Sequence, residues 1–208
     1  MGTRGAFGFH ADNEDKVTYN HSDSYPDGLG ADILAALSGE TIEHLRDVAA
    51  GLIMVNKDEK PTPEQIELCA PWPDLKVSGQ STEDWYCLLR PARGELTTWT
   101  KDGLRVMIDS HGFLLDSLFC EWAYIINLDT EQLEVYKGFN QNPEAPGRYA
   151  TEKNPDFVRA DGFVLKTEYN GVALVKEIPL EQVFAMADSD RDALIAELEG
   201  DEDENSDE

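Results

Sequence analysis

Basic residues are scarce in this chain of 208 residues, in which 17 lysines and arginines are set against 42 aspartates and glutamates, for a net charge of −25 at pH 7. Residues 201–208 hold six of the acids, so the remainder still carries a net charge of −19. A surface of this sign repels DNA, RNA and anionic lipid. We therefore expect no direct nucleic acid binding and no membrane binding, and we expect a protein partner with a basic surface.

Long hydrophobic runs are also missing. No stretch of about 18 apolar residues is present, which excludes a membrane-spanning helix. The N-terminus lacks a basic region followed by an apolar segment, so no secretory signal is predicted. The expected location is the cytoplasm. The three cysteines, Cys69, Cys87 and Cys120, lie far apart in the sequence and are predicted to be buried free thiols.

Motifs that bind cofactors or metals are absent as well. The chain has no glycine-rich phosphate loop and no G-x-S-x-G nucleophile elbow. Its four histidines, His10, His21, His44 and His111, do not show the spacing of a zinc site. The sequence therefore predicts no cofactor and no metal.

Three β-hairpins are predicted from short β-branched and aromatic runs that flank polar turns. The third has an Asn-Gly pair, which suits the left-handed positions of a tight turn. The predicted pairs of strands are 4–9 with 17–21, around the polar stretch 11–15; 121–127 with 133–139; and 163–169 with 172–178, around Asn170 and Gly171.

Helical patterns lie between and after these hairpins. Thr62 and Gln65 form a capping box that opens a short helix through Leu68, and Ser81 is a candidate cap for a helix that contains Trp85 to Leu89. Further helices are predicted at 29–37, 41–55, 180–186 and 190–198, a strand at 104–108 and a long loop at 140–161. Because helices and strands are segregated, we expect one α+β domain over residues 1–200 with a mainly antiparallel sheet and helices packed on it. Residues 201–208 are predicted to be a disordered acidic tail.

The N-terminal segment holds the candidate site. The first hairpin and its exit bring together side chains capable of acid-base chemistry, namely Arg4, His21, Asp23 and Tyr25. An acid between a histidine and a tyrosine can orient the imidazole if the three side chains converge. The structural alternatives are an ion pair between Arg4 and Asp23, a hydrogen-bonded structural His21, and turn chemistry at Tyr25.

Two resemblances attach to this segment. The opening Met1-Gly-Thr-Arg4 and the element His21-Ser-Asp-Ser-Tyr-Pro26 resemble a widespread group of phage and bacterial proteins that begin Met-small-Thr-Arg and carry His-x-Asp-x-Tyr-Pro. The later segments 121–129 and 133–136 are similar to the same group. This resemblance implies a mobile-element origin and assigns no activity.

The second resemblance is to N-terminal nucleophile hydrolases, which open with a nucleophile on the first strand and return an Asn/Arg-x-x-Asp-Tyr-type element on the second. Residues 3–9 and 20–25 have that outline. The resemblance implies that Thr3 is the nucleophile, with Arg4, Asn20, His21 and Asp23 around its pocket. The chain departs from the pattern because loss of the initiator methionine leaves Gly2 first, and glycine has no nucleophile.

The function expected from the sequence is that of an acidic phage-type accessory protein that binds a host or phage macromolecule, in particular a basic, nucleic-acid-binding partner. Carboxylates on such a protein can imitate the spacing of phosphates. The alternative is an N-terminal-nucleophile-like amidohydrolase, which could also have retained the fold and lost the reaction.

Overall fold

The structure is a computed structural model that describes residues 2–77, 79–92, 94–152 and 169–200. Its strands are β1 Gly5–Ala11, β2 Glu14–Asn20, β3 Ile53–Val55, β4 Val106–Ile108, β5 Trp122–Asn127, β6 Gln132–Lys137 and β7 Ala173–Pro179. Its helices are α1 Ala31–Leu37, α2 Ile42–Ala50, α3 Pro63–Leu68, α4 Trp85–Leu88, α5 Thr97–Thr100, α6 His111–Leu114, α7 Leu180–Ala185 and α8 Asp188–Gly200. A π-helical turn at Pro26–Gly30 precedes α1, and a 3₁₀ turn at Arg90–Ala92 follows α4.

Five strands form the main sheet in the order β2-β1-β5-β6-β7. The β1–β5 pair is parallel and the other three pairs are antiparallel. The predicted α+β class with a mainly antiparallel sheet is confirmed. The parallel β1–β5 pair and the separate parallel pair β3–β4 were not predicted from the sequence.

The first two predicted hairpins are present. In the first, Asp12 and Asn13 have φ values of 54° and 59°, which is the left-handed geometry of a two-residue turn. The strands therefore extend to Ala11 and Glu14, and the predicted five-residue turn shortens to two residues. The second hairpin pairs Trp122 with Lys137 and Asn127 with Gln132.

The third predicted hairpin falls in part on residues 153–168, which lie outside the described residues. Its Asn170-Gly171 turn does not take the predicted form, because neither residue is among those with positive φ. Asn140 holds this segment instead: its carbonyl accepts a hydrogen bond from Asn170 N at 2.8 Å, and its side-chain amide donates to Gly171 O, also at 2.8 Å. The second predicted strand is present as β7 and pairs with β6.

The two faces of the sheet bury different cores. Alternating residues such as Phe7, Phe9 and Val135 pack on one face against α1, α2, α7 and α8 in the large core. On the opposite face, Ala6 and Ile125 pack in a smaller core under α6 and the loop that carries Tyr149. The loop that covers this second face supplies Arg148 and Tyr149 to the polar group of residues described below.

Local signals set several helix boundaries. The Thr62 and Gln65 capping box is present at the start of α3, and Thr41 caps α2. The helix predicted over 41–55 ends at Ala50, because residues 53–55 pair with β4 instead. The cap of α4 is Asp84 rather than Ser81.

All three cysteines are buried free thiols. Among the described residues, no helix has both the length and the apolar character needed to cross a bilayer. In the predicted loop 140–161, the described residues 140–152 form neither helix nor strand, and the rest lies outside the described residues. So does the predicted acidic tail, 201–208.

Candidate functional site

Two of the six predicted site residues meet in the interior. Thr3 and Asn20 are 3% and 6% exposed. The carbonyl of Thr3 accepts a hydrogen bond from Ser24 N at 3.2 Å, and Asn20 Nδ2 donates to Ser24 Oγ at 2.8 Å. Tyr124 donates its hydroxyl hydrogen to Ser24 O at 3.1 Å. Ser24, which the sequence analysis did not select, is therefore the centre of this buried polar group.

The other four predicted residues lie elsewhere. His21, Asp23 and Tyr25 are exposed. His21 Nδ1 lies 3.1 Å from the Tyr19 hydroxyl, and Asp23 has a left-handed φ of 58°. The Arg4 guanidinium lies 4.5 Å from the centre of the Phe119 ring. The structure thus brings Thr3 and Asn20 together and gives His21 and Arg4 other partners.

A cleft of about 510 Å³ lies beside the edge strand β2. Five separate segments of the chain build its walls. The lining residues are Thr18, Tyr19, Lys57, Leu89, Ala92, Trp99, Ile108, Asp109, Ser110, Gly112, Phe113 and Asp116. The volume is that of an ordinary small-ligand or side-chain pocket.

Backbone hydrogen bonds fix the wall that runs from Asp109 to Phe113. Asp109 N donates to Val55 O at 2.9 Å, and Ser110 N donates to Val17 O at 2.8 Å. The segment after β4 is therefore tied to β3 on one side and to β2 on the other. The Asp109 carboxylate also accepts a hydrogen bond from His111 N at 3.0 Å, a local turn that starts α6.

The cleft combines aromatic walls with carboxylates. The rings of Tyr19 and Phe113 pack edge to face with centroids 5.0 Å apart. Asp116 Oδ1 is buried, and no described residue forms a hydrogen bond with it. Burial raises the pKa of Asp116, and the nearby charge of Arg4 partly offsets that rise. An aromatic cleft with an incompletely paired carboxylate is suited to a cation.

A polar junction lies next to the cleft on the second face of the sheet. We use this name for Asp15, His10, His111, Arg148, Tyr149 and Glu134. His10 and Asp15 are cross-strand partners in β1 and β2, and Glu134 is on β6. His111 reaches the junction from α6. Arg148 and Tyr149 reach it from the loop at residues 140–152, which we call the covering loop.

Asp15 is the acceptor at the centre of the junction. Its carboxylate lies 2.7 Å from His10 Nδ1 and 3.3 Å from His111 Nε2, and it accepts a hydrogen bond from the Tyr149 hydroxyl at 2.9 Å. Burial raises the pKa of Asp15, but hydrogen bonds from His111, His10 and Tyr149, with the charge of Arg148, lower it to about 2. The hydrogen bond to Asp15 raises the pKa of His111, although burial opposes the rise. At neutral pH Asp15 is therefore a carboxylate.

Glu134 anchors the covering loop to the sheet. Arg148 donates to both carboxylate oxygens of Glu134, at 2.9 and 2.6 Å, in a bidentate pair. Asn127 and Tyr136 donate to the same carboxylate at 2.6 and 2.9 Å. Because every one of these groups has a partner, this half of the junction is structural. The described residues contain no group of three or more His, Cys, Asp or Glu side chains placed to hold a metal ion.

No protein-family model, curated protein or solved structure matches this chain. The assignment of function therefore rests on the chain's own residues and their geometry.

Sequence reasoning missed the cleft and the polar junction. One signal for the junction was present: a two-residue turn at Asp12 and Asn13 places His10 opposite Asp15. Treating residues 11–15 as a turn concealed that pairing. The cleft had no such signal, because its walls come from segments that are distant in the sequence.

Proposed function

We propose that this chain is an acidic accessory protein that binds a host or phage macromolecule with a basic surface, and that a cationic side chain of that partner enters the cleft beside β2. The phage-type origin in this proposal rests on the resemblance of the N-terminal segment. The partner's basic character rests on charge complementarity with a chain of net charge −25.

The observation that carries the proposal is Asp116 at the aromatic cleft. Its Oδ1 is buried and has no hydrogen-bond donor among the described residues, so the carboxylate is incompletely paired where Asp116 lines the cleft. A lysine or arginine head group in the cleft would add a partner for this carboxylate. The Tyr19 and Phe113 rings and the Asp109 carboxylate add attraction for a positive charge. Two positive charges oppose it: Lys57, the one basic residue among the described lining residues, and Arg4, whose charge already acts on Asp116.

The test is binding of a short fluorescent peptide of alternating lysine and glycine, followed by anisotropy. We expect Asp116→Asn to weaken binding about tenfold, equivalent to about 1.4 kcal/mol. The matched control is Asp192→Asn, an exposed acid on α8 outside the cleft, which should change the affinity less than about twofold. Equal effects of the two substitutions would show that only overall charge matters and would remove the cleft from the proposal.

The alternative function is an N-terminal-nucleophile-like amidohydrolase with the corresponding fold. What favours it is the position of Thr3 just before β1, beside Asn20 and Ser24. A free amine on Thr3 would be its general base, which requires removal of Met1 and Gly2. Intact mass of the purified protein tests this requirement: a species that begins at Thr3 supports the enzyme, and one that begins at Met1 or Gly2 contradicts it.

A further inference from the structure

Three large apolar side chains are exposed at one end of the main sheet. Leu118, Phe119 and Phe139 are 37%, 42% and 52% exposed. We call this group the aromatic shelf. Single exposed apolar residues are ordinary on protein surfaces, but neighbouring ones indicate a contact surface.

Backbone hydrogen bonds hold the two segments of the shelf side by side. Phe139 N donates to Ser117 O at 2.7 Å, and Gly138 N donates to Glu121 O at 2.8 Å. The backbone around Phe139 is thereby joined to the turn that carries Leu118 and Phe119. The three side chains therefore belong to one region of the surface.

Phe139 occupies its place against its backbone preference. Its φ is 54°, in the left-handed region. The other described non-glycine residues with positive φ are Asp12, Asn13, Asp23, Gln80 and Glu131, all of them polar. A bulky aromatic residue in this region is a genuine outlier. Its ring packs edge to face on Tyr169, with centroids 6.3 Å apart, and is still half exposed. Burial in the core therefore does not account for its presence.

The shelf is adjacent to the cleft. Phe119 N donates to Asp116 O at 3.0 Å, and Asp116 lines the cleft. The Arg4 guanidinium lies over the Phe119 ring and acts electrostatically on Asp116. A ligand that placed a positive charge in the cleft would therefore have apolar surface within reach on the shelf.

Resting on the proposed function, we infer that the shelf is the second contact of the same binding surface, and that its occupant is a basic segment of a partner protein with an apolar side chain close to the cationic one. Charge selects this occupant. A second copy of this chain, at a net charge of −25, and an anionic lipid surface are both repelled.

The experiment uses two peptides and four forms of the full chain: the unmodified protein, Phe139→Asn, Asp116→Asn and Leu75→Asn. One peptide alternates lysine and glycine, and the other has its central glycines replaced by leucine. Asparagine tolerates a left-handed φ, so Phe139→Asn removes the ring without adding strain. Leu75, exposed outside the shelf and the cleft, is the matched control.

We expect the unmodified protein to bind the leucine-containing peptide about tenfold more tightly than the lysine-glycine peptide. Phe139→Asn should abolish that preference and leave binding of the lysine-glycine peptide unchanged. Asp116→Asn should weaken the binding of both peptides, and Leu75→Asn should weaken the binding of neither. The melting temperature of Phe139→Asn should equal or exceed that of the unmodified protein, because the strain at this position is relieved.

The outcomes separate the two proposals. Binding of the lysine-glycine peptide without a preference for leucine would overturn the shelf and leave the proposed function standing. Absence of binding to both peptides would overturn both. A large fall in the melting temperature of Phe139→Asn would show that the ring is structural. Concentration-dependent self-association that Phe139→Asn abolishes would make the shelf a contact between copies, contrary to our inference.

Discussion

At the scale of single residues, Asp15 shows how a few cationic and hydrogen-bonding side chains of this protein stabilise a buried carboxylate. It is a largely buried carboxylate in a protein with a large excess of acids. Two imidazoles, a tyrosine hydroxyl and the charge of Arg148 surround it. A buried charge is tolerated only where such partners are present.

We expect Asp15→Asn to lower the free energy of unfolding at pH 7 by about 1 to 2 kcal/mol, after discounting for screening by solvent. Because the pKa of Asp15 falls from 3.8 to about 2 on folding, its stabilisation is present above pH 3.8 and is lost as the pH falls through about 2. Urea denaturation at neutral and acidic pH measures the difference.

The control for this prediction is Asp47→Asn, an exposed acid on α2. It should change the free energy of unfolding by less than about 0.5 kcal/mol at any pH. A destabilisation by Asp15→Asn that is as large at pH 2 as at pH 7 would contradict the electrostatic explanation and indicate a loss of packing.

At the scale of elements, the hairpin of β1 and β2 positions both the junction and the cleft. Its tight turn sets the register that pairs His10 with Asp15, and the outer edge of β2 receives the hydrogen bond from Ser110. Gly8 lets the two strands approach closely. A Cβ atom at Gly8 would lie 2.1 Å from Lys16 O and 2.7 Å from Val17 Cα, distances at which backbone must move.

We expect Gly8→Ala to lower the free energy of unfolding by about 2 to 3 kcal/mol, because the added methyl group forces the strands apart. Thermal or urea denaturation measures the loss. Gly79→Ala is the matched control, since no heavy atom of the described residues, apart from its chain neighbours, lies within 4 Å of a Cβ there, and its φ is not left-handed. If Gly8→Ala proved as stable as Gly79→Ala, the close approach of the strands would be refuted.

At the scale of the whole molecule, the net charge of −25 is the dominant property. Mutual repulsion of the carboxylates destabilises the compact state. Among the described residues, exposed ion pairs such as Lys60 with Glu83 offset little of this repulsion.

We expect the melting temperature to rise by a few degrees as the ionic strength increases from about 0.01 M to about 1 M, because the screening length falls from about 30 Å to about 3 Å. Differential scanning calorimetry in sodium chloride measures the shift. Choline chloride serves as the comparison salt and should act alike. A response to sodium alone would point to specific cation binding in place of screening.

The difference between prediction and structure depends on the range of the interactions. The α+β class, the first two hairpins and the Thr62 capping box were predictable because each depends on residues close together in the sequence. The Asn170-Gly171 turn was not, because both residues form hydrogen bonds with Asn140, and these override the local preference of the pair.

The contacts of the candidate site also depend on how the folded chain is arranged in space, so residue types alone did not predict them. The N-terminal segment was identified from its residue types, but the interior partner of Thr3 and Asn20 is Ser24, and His21 bonds to Tyr19. Distances in space, rather than spacing along the chain, select these partners.

The sequence by itself determined the charge, the first two hairpins and the capping box of α3, because these depend on composition or on neighbouring residues. Only the tertiary structure decided the parallel pairing of β1 with β5, the polar junction around Asp15 and the cleft at Asp116. Each of these requires segments many residues apart to pack together, and that packing follows from burial of the two cores rather than from any local pattern.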